Sequence, residues 1–281
     1  SGMTPTPLLT IIVLTKDEEA NLPVLLASAE GLGAAFVIVD SGSTDRTVAI
    51  AEAAGCRVLT HPFENHAAQL NWAIDHAGIT TPWVMRMDAD ERFTPELVAE
   101  LRDVLATLPE TVTGLSLKRQ VWFWGRWIRH GGYYPIWLLR IWRNGRARCE
   151  QRWMDEHMIV DGGDVRRLAH DIIDENHKGL TFWTDKHNRY ADREVRDLLH
   201  WSDAEQHLDL SDQAGRTRWL KGNIYLRSPL FLRAFLYWIY RYVFRLGFLD
   251  GRAGLVFHFL QGFWYRFLVD AKIYELQRRR S

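Results

Sequence analysis

Asp88 and Asp90, separated by a single alanine, close the apolar run Trp83-Val84-Met85-Arg86-Met87. One intervening residue lets both carboxylates reach a single hard cation or its bound water. Mg2+ and Mn2+ favour oxygen ligands and commonly take one or two carboxylates together with substrate phosphates. Asp-x-Asp also occurs by chance in many loops, so its neighbours decide its weight. Asp40 ends a second apolar run in VIVDSGSTDRT. A carboxylate there can accept from a nucleobase N–H while the Ser/Gly loop brings backbone close to a ribose.

These acids need elements to aim them. Leu8–Leu14, Ala35–Val39, Arg57–Leu59 and Trp83–Met87 read as buried strands. Helix signals fall between them. Asn21 caps a helix entering at Leu22-Pro23, and Ser43 or Thr44 caps one that runs to Ala54 and stops at Gly55. A third covers Ala67–His76, and Thr94-Pro95-Glu96 opens a fourth. This alternation predicts an α/β fold, a mostly parallel sheet with helices on both faces. Ligands bind beyond the carboxyl ends of such strands, and Thr15–Glu19, Asp40–Ser43 and Asp88–Asp90 would share that rim. Thr113–Arg143 predicts longer aromatic strands added antiparallel, and residues from Thr181 to Asp212 read as a polar helix.

Of 281 residues, 47% are hydrophobic and 25% charged, which excludes a disordered chain. Formal net charge is zero, but from Arg216 onward 13 Lys/Arg face only three acids. Such asymmetry points to an anionic partner for the basic end. Cys56 and Cys149 form neither a disulfide framework nor a metal-type spacing, which suits a reducing compartment. The apolar run Leu8–Leu14 is too short for a secretory signal, and Ser1-Gly2-Met3 reads as an expression remnant. No Gly-rich phosphate loop follows the first strand, which argues against dinucleotide folds, phosphate-loop nucleotidases and nucleotidylyltransferases.

The segment from Ser228 is apolar but punctuated by arginines. On a helical wheel Arg227, Arg233, Arg241 and Arg245 fall within an arc of roughly 120°, opposite Phe and Leu. That is the pattern of a helix lying in a membrane interface. Ala253–Tyr265, at about 13 residues, is too short to span a bilayer, and Asp250-Gly251 supplies a turn between the two runs. The expected element is a monotopic helical hairpin; packing on the rest of the chain or on a second copy in a homo-oligomer fits the same pattern. Basic residues alternating with bulky apolars do not make the solvated stripe that binds nucleic acid.

LTKDEEANL, VDSGSTDRT and MDADER, in this order and spacing, resemble the family-2 glycosyltransferases of GT-A fold. The later WMDEHM and HKGLTFWTDKHNRYADREV are similar to bacterial lipopolysaccharide-core β-glucosyltransferases, so the resemblance covers roughly residues 8–200. It implies an inverting transferase that moves a hexose from a nucleotide-diphosphate sugar, UDP-linked, to a lipid-linked saccharide acceptor. By position Thr15, Glu19 and Asp40 would line base and ribose. Asp88 would touch ribose or donor sugar, and Gln69 and Asn71 would approach the donor. Asp90 would hold Mn2+ or Mg2+, with Asp88 and His177 as further metal candidates. Lys16 stands where many relatives carry Tyr, and Asp17 where many carry Asn. Inversion by direct displacement needs a carboxylate to take the acceptor's proton. Asp155 and Glu156 are the candidates, and the resemblance aligns Glu156. The expected organisation is a catalytic domain over 5–215 and a membrane-associating segment over 216–281. The latter would hold the enzyme peripherally on the cytoplasmic face of the inner membrane through 228–270. Transfer to a polyprenyl phosphate, or a non-catalytic membrane-surface scaffold, are the competing readings.

Overall fold

A computed structural model of the protein describes residues 5–152, 155–204 and 227–281. They divide into two compact units, residues 5–125 with 134–178, and 126–133 with the remainder. The boundary expected at 215/216 lies outside the described residues.

In the first unit the strands are β1 (Leu9–Thr15), β2 (Ala35–Asp40), β3 (Arg57–Thr60), β4 (Trp83–Asp88) and β5 (Glu91–Phe93). β6 (Val112–Phe123) follows; β7 (Arg126–Trp127) belongs to the second unit. β8 (Trp137–Arg143), β9 (Ala147–Arg152), β10 (Asp155–Val160), β11 (Asp164–Arg167) and β12 (Ile172–Asp174) complete the set. The main sheet runs β3-β2-β1-β4-β8-β6-β12-β5. Its first four strands are parallel, with Thr15 beside Asp40 and Leu14 beside Asp88. The carboxyl ends of β1, β2 and β4 therefore share one rim, as the alternation predicts. β8 enters antiparallel to both β4 and β6, as expected for the aromatic stretch. The short strands β11 and β12, parallel to β6, have no clear signal in the sequence.

Both faces of the parallel half are buried, which is why its strands are continuously apolar. On one face Leu9, Ile11, Val13, Trp83 and Met85 pack with Leu22 and Leu25 of α1 (Leu22–Ser28). Ala51 of α2 (Thr47–Ala53) joins them, with Leu97 and Leu101 of α4 (Pro95–Val104). On the other face Ile12, Val37, Val39 and Val84 pack with Leu70 of α3 (His66–His76). Cys149 and Met158 of the antiparallel β9–β10 ladder close that side. Two of the expected caps are replaced. Asn21 makes no side-chain cap, and α2 starts at Thr47, where Asp45 rather than Ser43 or Thr44 accepts from the Thr47 N–H. The side chains freed from capping are engaged in the strand-end loops.

In the second unit, α5 (Gly179–Ala204) precedes a helical C-terminal segment. That segment comprises α6 (Leu232–Ile239), a π-turn over Tyr240–Phe244, α7 (Gly251–His258), a second π-turn over Phe259–Trp264 and α8 (Tyr265–Arg280). Among the described residues no helix is long and apolar enough to cross a membrane. Of the four arginines on one side of the helical wheel, Arg227 and Arg245 are exposed and Arg233 and Arg241 turn inward. Arg233 is buried, with its Nε 2.9 Å from Asp270 Oδ1. Arg241 donates to the Gly131 carbonyl and lies over the rings of Tyr133 and Tyr237. Carboxylate, carbonyl and ring partners inside the unit hold these two guanidiniums inward.

Ile12 is fully buried between the sheet and α3. Ile12→Ala is expected to lower unfolding stability by about 2–5 kcal/mol in urea titrations. Phe63→Ala, at a 51% exposed position, should change it by no more than about 0.5 kcal/mol.

Candidate active site

The rim begins as a clasp between two loops. Asp40 accepts four hydrogen bonds: Thr15 Oγ1 at 2.8 Å and Ser43 Oγ at 2.6 Å on Oδ1, and the Gly42 and Ser43 N–H groups on Oδ2. Gly42, at φ +99°, supplies the turn that points both amides at one oxygen. Asp17, at φ +54°, accepts from the Thr44 N–H and donates its own N–H to Ser43 Oγ. Glu19 accepts from the Arg46 N–H. The acids after β1 and β2 thus hold one another's backbones and shape a rigid concave edge, with Thr15 and Asp40 buried in it.

At the end of β4 the charges are layered. Glu91 is buried and takes a two-pronged ion pair from Arg140 of β8, at 2.6 and 3.0 Å. The same carboxylate accepts the Asp88 N–H at 2.8 Å, and Arg140 also donates to the Arg86 carbonyl. The Asp88-Ala89-Asp90 turn is therefore pinned from beneath. Asp88 itself is more open and lies 3.6 Å from Arg86 and 3.7 Å from Arg140. Burial pushes its carboxyl up, but the positive charges of Arg140 and Arg86 outweigh burial and hold it well below the usual range. Arg86 also donates to Glu156 at 3.2 Å. One guanidinium thus joins the Asp88 turn to the proton-acceptor candidate on β10. The Asp155 side chain lies outside the described residues.

Asp90 and His177 line one narrow crevice with Asn21, Arg92 and Glu175. The strand β5 and the segment after β12 build it. The Glu175 N–H donates to the Asp90 carbonyl, Arg92 pairs with Glu175 at 2.8 Å, and the His177 N–H donates to Asn21 Oδ1. Asp174 stands opposite Glu91 in the β12–β5 ladder, with Arg119 3.9 Å away. Its carboxyl is pushed well up, first by burial and then by the negative charge of Asp90. Oxygen donors crowded until one resists ionisation suit a hard divalent cation. Among the described residues no three His, Cys, Asp or Glu side chains converge to hold a metal unaided. A cation here fits Asp90 and His177 only with further oxygens from a substrate.

Gln69 and Asn71 are engaged within the fold. The Gln69 amide bonds His61 at both its oxygen and its nitrogen, and the Asn71 amide brackets the Cys149 backbone, fixing β9 to α3. Seven charged residues of the site carry no assignment from the sequence: Arg86, Glu91, Arg92, Arg119, Arg140, Asp174 and Glu175. Glu91 and Arg86 flank the Asp-x-Asp itself. Arg119, Arg140 and Asp174 lie far along the chain, and only the sheet order brings them in.

The profile described as Glycosyl transferase family 2 matches residues 10–152, half of the chain, from β1 to the end of β9. The chain belongs to this family. The lipopolysaccharide core biosynthesis glycosyltransferase LpsC of Rhizobium meliloti is 32% identical over 173 residues, 58% of this chain. The undecaprenyl-phosphate 4-deoxy-4-formamido-L-arabinose transferase of Pseudomonas aeruginosa is 32% identical over 137 residues, 44% of this chain. The matches span 61% and 40% of those two relatives, and about a third of the rickettsial glycosyltransferases that are also similar. Among solved structures, the mannosyltransferase PcManGT of Pyrobaculum calidifontis, in complex with GDP-Man and Mn2+, is similar at 15% identity with a TM-score of 0.46. That likeness spans 96% of this chain and 88% of the other.

Two outcomes follow for the family-2 rim. Arg140→Met strands the buried Glu91 charge and should cost about 3–5 kcal/mol by chemical denaturation. The double variant Glu91→Leu/Arg140→Met should recover most of that loss. Burial pushes the Asp40 carboxyl up, yet hydrogen bonds from Ser43, Thr15 and Gly42 hold it below its ordinary value of 3.8. A carboxyl with a lowered folded pKa contributes stability that is full above its unfolded pKa and is lost as pH falls through the folded one. Acid titration of unfolding should therefore show a shallower loss below about pH 4 for Asp40→Asn than for wild type.

Proposed function

We propose that the protein is a metal-dependent inverting hexosyltransferase that uses a nucleotide-diphosphate sugar, UDP-linked, and a lipid-linked glycan acceptor. The reading places it in bacterial envelope polysaccharide or lipopolysaccharide synthesis, at the cytoplasmic face of the inner membrane. The observation that carries it is the Arg86 bridge, which sets Glu156 beside an Asp-x-Asp turn on the strand-end rim. The name of the Rhizobium relative supports the acceptor class.

In this reading the clasp of Thr15, Glu19 and Asp40 bounds the nucleoside, with Asp40 acting through the loop it shapes. Asp88 faces ribose or donor sugar. The acceptor oxygen attacks the anomeric carbon from the side opposite the diphosphate. As the new C–O bond forms, the bond to the diphosphate oxygen breaks, and Glu156 takes the hydroxyl proton. Asp90, with His177, would hold Mn2+ or Mg2+, which when bound supplies Lewis-acid stabilisation of the leaving diphosphate. Arg86 orients the Glu156 carboxylate and keeps its charge apart from that of Asp88.

The Pseudomonas relative favours a second reading, in which a polyprenyl phosphate is the acceptor. Its oxygen is already anionic, so no base is needed. A panel of nucleotide sugars, scored by thermal shift with and without Mn2+, tests the donor assignment. A ligand that binds only the folded protein raises its Tm, and the shift should vanish in Asp90→Ala. No shift with any donor sinks the assignment. Glu156→Gln should lower kcat by about 10²–10⁴-fold with donor binding unchanged. Near-full turnover in that variant would select the phosphate acceptor instead.

A further inference from the structure

The second unit turns its apolar side outward. Phe235, Leu236, Tyr240 and Phe244 form a stripe at helical spacing along α6 and its π-turn, and Phe248 and Leu249 extend it; all six are between 46% and 73% exposed. Pairing Arg233 with Asp270 draws that side of α6 into the unit and leaves the stripe largely exposed, with Phe235 also touching Trp238 and Phe263 and Phe248 touching Tyr242. Contiguous exposed apolar surface on this scale marks an interaction site.

Charge identifies the partner. Between residues 227 and 274 the only acids are Asp250 and Asp270. Both are buried. Asp250 accepts from His130 and His258, and Asp270 from Arg233 and the Phe231 N–H. The exposed charges of the segment are cationic, with Arg227 before the stripe and Arg245 and Arg252 on either side of Phe248-Leu249. A second copy docked by twofold symmetry would bring arginine toward arginine, and the exposed carboxylate that follows, Glu275, lies far along α8 and already pairs with Arg279. A surface that is apolar at depth and anionic at its edge meets both halves of the pattern.

We propose that this face rests in the surface of an anionic phospholipid bilayer, with its Phe and Leu side chains at the acyl boundary and its arginines among phosphates, without spanning it. The inference stands apart from the transfer reaction, since it uses no residue of the rim.

Flotation of the full chain with vesicles of phosphatidylcholine, alone or mixed with phosphatidylglycerol, tests it. Wild type should float with the mixed vesicles at low salt. Leu236→Glu/Phe244→Glu should lower the partition coefficient at least about tenfold, with Tm unchanged because both side chains are exposed. Arg245→Ala/Arg252→Ala should reduce binding to the mixed vesicles by about fivefold per arginine and leave binding to phosphatidylcholine as it was. Wild type that floats with neither vesicle overturns the proposal. So does a glutamate variant that binds like wild type while a wild-type dimer falls apart, which would assign the face to self-association. The arginine variant leaves the apolar residues intact, so undiminished binding to mixed vesicles by that variant overturns the proposal as well.

Discussion

A buried ion pair between Glu91 and Arg140 organises the candidate site. Two charges removed from water require partners for their remaining donors and acceptors, and here those partners are the site's own backbone. Glu91 holds the Asp88 amide, and Arg140 holds the Arg86 carbonyl. Burial disfavours the Arg140 charge, but the negative charges of Glu91 and Asp88 outweigh it and keep the guanidinium firmly protonated. The turn that presents Asp88 and Asp90 therefore cannot relax without exposing or orphaning a buried charge. Swapping the pair for apolar residues would restore stability, yet it would remove one of the positive charges that hold the Asp88 carboxyl low. The pair is better understood as positioning than as stabilisation.

Rigidity is the common property of the rim. The Asp40 clasp saturates its carboxylate with four internal donors, so its effect on a bound nucleoside comes through the Gly42–Ser43 backbone it holds. Preorganised groups lower a barrier without reorganising at the moment of reaction. Arg86 extends the same logic across the sheet, since its bridge to Glu156 ties β10 to the turn. Asp174 adds a carboxylate that neither the Asp-x-Asp nor any local spacing announces.

Much of the first unit was legible because it obeys local rules. The four apolar runs with intervening helix signals specify parallel strands and a shared rim, and Thr94-Pro95-Glu96 caps α4 as read. Asn21, Ser43 and Thr44 were misread as caps because other partners claim them: Asn21 binds the distant His177 and Asn176 segment, Ser43 binds nearby Asp40 and distant Asp17, and Thr44 binds Asp17. Arg140 and Asp174 were illegible for a related reason. Each acquires its role from strand order, β4 beside β8 and β12 beside β5, which no short spacing encodes. The inward turn of Arg233 was illegible too, because a helical wheel separates arginines from phenylalanines but cannot tell which of them meets Asp270.

The central claim is that the Asp88–Asp90 turn is the donor site of a family-2 glycosyltransferase. Anomalous diffraction at the manganese edge, from crystals soaked with Mn2+ and a nucleoside diphosphate, tests it most directly. The account predicts one strong peak beside Asp90, with diphosphate density against it and the nucleoside lying along the Thr15–Asp40 clasp. A peak elsewhere on the chain, or a nucleotide bound away from that rim, would contradict it.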